Sequence, residues 1–91
     1  MSELELLRNE IDEIDQELAD LFCRRMEIVE RIARYKREKG IPAFDPAREA
    51  QMKEARKGFL SNADLLPYYQ KFLETLLTLS KDFQNEQGGR V

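Results

Sequence analysis

The 91-residue chain contains no histidine and no tryptophan, one cysteine, four glycines and three prolines. Without histidine, no side chain titrates near neutrality unless its environment shifts it strongly. General acid–base chemistry would need a perturbed carboxylate or lysine, and nothing in the sequence asks for one. Cys23 has no second cysteine to bridge to and no histidine with which to share a metal, so it reads as a packing residue beside an apolar stripe. No metal and no cofactor are expected. No apolar run is long enough to span a bilayer. The start of the chain carries Glu3 and Glu5 rather than the cationic opening of a signal peptide, which sets the expectation of a cytoplasmic protein. Fifteen basic residues against 18 acidic ones give a net charge of -3. That balance lacks the basic field that nucleic acid requires and the polybasic cluster of a membrane anchor.

The few glycines and prolines act as punctuation. Ser2 with Glu5 three residues later forms a capping box. Apolar residues then recur in steps of three and four at Leu4, Leu7, Ile11, Ile14, Leu18, Leu21, Ile28 and Ile32, one face of a single helix. Nothing interrupts it before Gly40, a C-terminal stop. Pro42 holds Ile41 out of helix. Asp45-Pro46 starts a second helix, with Asp as N-cap and Pro at the first helical position, and Gly58 ends it. Asp64 can cap a third helix with Pro67 in its first turn. The expected architecture is all-α, with helices over about 3–39, 46–57 and 65–85. They make one domain over residues 1–86, followed by a disordered tail at 87–91. A helix of about 36 residues is roughly 54 Å long, whereas a compact globule of this chain length has a radius of gyration near 12 Å. The first helix overshoots its own domain, so it should pair with another copy or form a coiled coil.

Several polar residues stand where apolar ones belong. Arg25 falls on the first-helix stripe between Leu21 and Ile28. A guanidinium on a buried face needs an anion, supplied by a protein carboxylate or by a ligand. Ser80 and Gln84, one turn apart, interrupt the third-helix stripe of Tyr69, Phe72, Leu73, Leu76, Leu77 and Phe83. Lys36 lies eleven residues beyond Arg25, close to three turns, and so shares its face. Taken singly, Lys36 and Arg8 read as solvated charges. Arg48 and Glu49, just after the Asp45 cap, read as ordinary helix dressing favoured by the dipole. Joined to Arg25, Ser80 and Gln84 describe one polar pocket lined by a helical core.

The motifs Leu7-Arg8-x-x-Ile11-Asp12-x-x-Asp15, Arg25, Lys36, Asp45-x-x-Arg48-Glu49 and Ser80-x-x-x-Gln84 occur in this order and spacing. The pattern resembles the all-helical, AroQ-class chorismate mutases from about Leu4 to Gln84. The resemblance implies an intertwined homodimer with two equivalent sites, each lined mainly by one subunit with Arg8 donated by the other. It implies the Claisen rearrangement of chorismate to prephenate on the route to phenylalanine and tyrosine, a reaction that needs no metal, cofactor or nucleophile. Arg25 and Arg8 would then bind the two substrate carboxylates, with Ser80 assisting. Lys36 and Gln84 would donate to the ether oxygen. Asp45 and Glu49 would hold the ring hydroxyl, and Arg48 would brace Glu49 or touch substrate. Two rivals remain. Isochorismate pyruvate-lyase shares the fold and the basic residues, but the resemblance leads us to expect it to lack the glutamate at Glu49. A non-catalytic helical dimerisation module would explain the stripe, though not Arg25, Ser80 and Gln84.

Overall fold

A computed structural model of the chain describes residues 2–88. Three α-helices follow one another: α1 (Glu3–Lys39), α2 (Pro46–Arg56) and α3 (Leu66–Gly88). Short 3-10 turns at Lys57–Phe59 and Ala63–Leu65 link the last two, and there is no strand among the described residues. The all-α reading therefore holds. The backbone of α3 runs on through Gly88; residues 89–91 of the tail expected to be disordered lie outside the described residues.

The helix ends follow their capping chemistry. Ser2 Oγ accepts the N–H of Glu5 at 3.2 Å. Gly40 adopts the left-handed conformation, φ 67° and ψ 28°, which an L side chain enters only at a cost. Gly40 N–H then reaches Arg37 O at 3.3 Å and Ile41 N–H reaches Lys36 O at 2.8 Å. This Schellman closure turns the linker back along α1. Asp45 Oδ1 caps α2 by accepting Arg48 N–H at 3.0 Å. Two boundaries differ from expectation. Helix α2 stops at Arg56 and tightens into the 3-10 turn before Gly58 can end it. Asn62, not Asp64, caps the approach to α3, its Oδ1 accepting Asp64 N–H at 3.0 Å. The added 3-10 turn moves the cap two residues upstream.

Helix α1 makes the molecule a rod, 56 Å in its longest extent with a radius of gyration of 16.7 Å. The core forms where the C-terminal half of α1 packs on α3: Val29 and Ala33 from α1, Leu73 and Leu77 from α3. The buried pair on α1 sits one position beyond Ile28 and Ile32, which the periodicity had marked as inward. Those two are 48% and 42% exposed, because they wall an open cleft, whereas Val29 and Ala33 are buried with the α3 leucines. The N-terminal half of α1 touches nothing comparable. Leu4, Leu7, Ile11, Ile14, Leu18 and Leu21 are each about half exposed, and Cys23, expected to pack, is exposed with them. No helix among the described residues is long and apolar enough to cross a membrane.

Candidate active site

All three helices and the linker converge on one cleft of about 480 Å³. Helix α1 contributes Arg25 and Lys36 across an aliphatic wall of Ile28, Val29 and Ile32. The linker contributes Ala43, Phe44 and Asp45. Arg48, Glu49, Met52 and Arg56 come from α2, and Leu77, Ser80, Lys81 and Gln84 from α3. Aliphatic walls with a few convergent polar groups are the usual make-up of a small-molecule site.

Arg25 is half-buried and donates from Nη1 to Ser80 Oγ. Ser80 is itself 7% exposed, and its hydroxyl donates back to Leu76 O at 2.8 Å. The hydroxyl therefore has a lone pair to offer the guanidinium but no charge. Among the described residues no carboxylate pairs with Arg25; the ion pairs seen are Arg34–Glu30, Lys53–Glu49 and Lys57–Glu54. Desolvation by burial, with the like charge of Arg56 added, lowers the Arg25 pKa from its ordinary value. A guanidinium starts so high that it keeps its proton at neutral pH. It is an uncompensated cation at the edge of an apolar cleft.

Lys36, in the last turn of α1, donates to Ala43 O at 2.9 Å and to Gln84 Oε1 at 3.2 Å. One ammonium thus ties α1 to the linker and to α3 without meeting a negative charge. An ammonium carries three donors, so one remains for a ligand. Gln84, accepting through Oε1, keeps its NH₂ group as a donor. Asp45 spends one oxygen on its cap. Arg48 donates to Gln51 Oε1 at 3.2 Å, and Glu49 lies 3.8 Å from Lys53. Of the two roles expected for Arg48, bracing Glu49 or touching substrate, the first is not among these contacts, since each residue engages another neighbour along α2.

Of the eight expected site residues, the fold brings seven to the cleft: Arg25, Lys36, Asp45, Arg48, Glu49, Ser80 and Gln84. Arg8 is not among them. It precedes Arg25 by 17 residues on the same helix, roughly 25 Å along the rod. Two cations that sequence reasoning missed also line the cleft, Arg56 and Lys81. A signal existed for each: Arg56 is two turns beyond Arg48, and Lys81 adjoins Ser80. Lys81 Nζ stands 4.6 Å from the centre of the Phe44 ring, a cation–π contact across the cleft mouth. The lining thus holds five cations and two carboxylates, although the whole chain is net negative. Among the described residues no group of three or more His, Cys, Asp or Glu side chains could hold a metal ion.

An all-helical domain with a cation-rich, aliphatic-walled cleft is a scaffold for a small organic anion. The chain belongs to the type II chorismate mutase family, whose profile matches residues 7–85. It is 42% identical over 57 residues to the T-protein of Haemophilus influenzae, covering 63% of this chain and 15% of that protein. It is 32% identical over 89 residues to the bifunctional chorismate mutase/prephenate dehydratase of Aquifex aeolicus, covering 89% of this chain and 25% of that one. A 4-amino-4-deoxychorismate mutase of Streptomyces venezuelae is 42% identical over 53 residues, 58% of this chain and 52% of its own length. The chain spans only a fraction of these curated relatives. No solved structure gives a significant match.

Proposed function

We propose that the protein converts chorismate to prephenate, a step toward phenylalanine and tyrosine. The observation that carries this reading is Arg25: half-buried, held by a neutral hydroxyl and free of any acid among the described residues. Its setting, five cations to two carboxylates, suits a dianion. The rearrangement forms a carbon–carbon bond and breaks a carbon–oxygen bond within one molecule, with no proton moved. The site need only select a compact conformer and stabilise negative charge growing on the ether oxygen. Ile28, Val29, Ile32 and Leu77 give the compact walls. Lys36 and Gln84, already joined to each other, present one ammonium N–H and one amide NH₂ toward the same space. A rate gain of about a millionfold requires roughly 8 kcal/mol. Two aimed donors at about 3 to 4 kcal/mol each reach most of it.

The assembly in this reading is a homodimer. Four buried aliphatic residues among those described are a small core for a chain of this length. The exposed stripe from Leu4 to Leu21 is a continuous apolar face of the kind that marks an interface. A second copy laid along it would cover both stripes and bring Arg8 of the second subunit toward the cleft.

The decisive test is prephenate formation from chorismate by the purified protein without added metal or cofactor; no prephenate overturns the reading. Parallel arms with isochorismate and with 4-amino-4-deoxychorismate separate the lyase and the amino-substrate alternatives. Glu49 in the cleft favours the mutase over the lyase. Gln84→Ala should lower kcat by about 100- to 1000-fold while raising KM far less, since its donor acts on charge that appears in the transition state. An unchanged kcat in steady-state assays removes Gln84 from the donor pair.

A further inference from the structure

Arg56 is the last residue of α2 and lines the same cleft as Arg25. It is half-buried and takes part in none of the ion pairs among the described residues. Its guanidinium carbon rests 5.6 Å from the centre of the Phe59 ring, which steadies the group without neutralising it. Arg25 in turn is fixed by Ser80, which engages Nη1 and leaves the other N–H donors of the fork open. Two half-buried guanidinium groups thus line one cleft of about 480 Å³. In an empty cleft this juxtaposition is repulsive. A carboxylate between them turns it attractive and satisfies both forks.

We propose that Arg56 and Arg25 form a clamp, built within one chain, that closes on a single carboxylate of the substrate. Arg56 is then a substrate-binding residue, and the other carboxylate is left to Arg8 of the second subunit. The proposal rests on the dianion reading above and extends it to a residue outside the expected set. The arrangement also gives the cleft a direction: a carboxylate enters at the Arg25–Arg56 end while the ether oxygen meets Lys36 and Gln84.

The test uses the full chain with Arg56→Leu, Arg56→Lys, Arg25→Leu and the double leucine variant, with chorismate as substrate and prephenate as the titrated ligand. Arg56→Leu should raise KM for chorismate and weaken prephenate binding by about 10- to 100-fold, with kcat changed by less than about threefold, because binding to a non-reacting carboxylate is nearly uniform along the reaction. Arg56→Lys should lie between, since it keeps the charge but not the fork. The double variant should be little worse than Arg25→Leu alone, because both arms share one anion. A merely structural Arg56 would lower the melting temperature and leave KM in place. If the wild-type protein turns over chorismate and the Arg56→Leu variant keeps its KM within about twofold, the clamp is wrong and the mutase reading stands. If the wild-type protein yields no prephenate, both fall. Should Arg56→Leu not fold, Arg56→Lys decides alone: an unchanged KM overturns the clamp, and a raised KM with a wild-type melting temperature supports it.

Discussion

Arg25→Leu is expected to remove at least about a thousandfold of kcat/KM, roughly 4 kcal/mol of transition-state stabilisation, and yet to leave a folded protein. The loss follows from the role proposed for the guanidinium: it is the cation in the cleft that Ser80 fixes in place. The stability forecast follows from the sign of its pKa shift. Burial and Arg56 lower the pKa of Arg25 in the folded chain, so the charged form is less at home in the fold than in water. That penalty is present at every pH below the lowered pKa, the neutral range included, and leucine removes it. Leucine also removes the repulsion with Arg56, while Ser80 keeps its bond to Leu76 O. The melting temperature should therefore hold or rise, since an unpaired charge costs free energy when it is drawn out of water. Prephenate assays and thermal melts on the same preparation check both halves. A variant with near-normal turnover removes Arg25 from the site. A variant that melts far below the wild type reveals a structural role that the cleft geometry does not suggest.

Of the residues expected at the site, only some broke a pattern; Arg8, Asp45, Arg48 and Glu49 entered through the family resemblance. Arg25, Ser80 and Gln84 interrupt apolar stripes, so their faces were fixed by their neighbours before any coordinates. Lys36 followed from its spacing to Arg25. Arg56 and Lys81 broke nothing. The α2 segment PAREAQMKEAR is charged nearly all round, and a cation at its end is unremarkable until the rotation of α2 against α1 and α3 is known. That rotation is a tertiary property, which local sequence does not carry. The same limit explains the core. Periodicity marks the width of an apolar face, but each residue turns the helix by about 100°, so it cannot say which edge meets which neighbour. Ile28 and Ile32 went to the cleft and Ala33 to the core, while Val29 serves both. The caps at Ser2, Gly40 and Asp45 were legible because their chemistry is local. The length of α1 was legible for the same reason, and its misfit with a compact globule already asked for a second copy.

That second copy gives the other large expected effect. Arg8→Ala and Lys36→Ala should each be nearly inactive as pure homodimers, yet a mixture of the two should regain activity once subunits exchange. The reasoning is geometric. Arg8 sits roughly 25 Å from Arg25 along a rigid helix, so it cannot serve the cleft of its own chain. In the proposed two-fold dimer it would serve the other one. A heterodimer then holds one site lacking both groups and one site with both intact, because the intact Lys36 comes from the Arg8→Ala chain and the intact Arg8 from its partner. Random pairing at equal amounts makes half the dimers mixed, so about a quarter of all sites should work. Exchange through the intertwined helices of the proposed dimer would be slow, so co-refolding from denaturant is the appropriate preparation. Recovery near that quarter supports a site shared between two chains. Activity that stays at the homodimer background, in a sample shown by mass to contain the heterodimer, means that Arg8 serves no cleft. The dianion must then be held by one chain alone, through the five cations that line its own cleft.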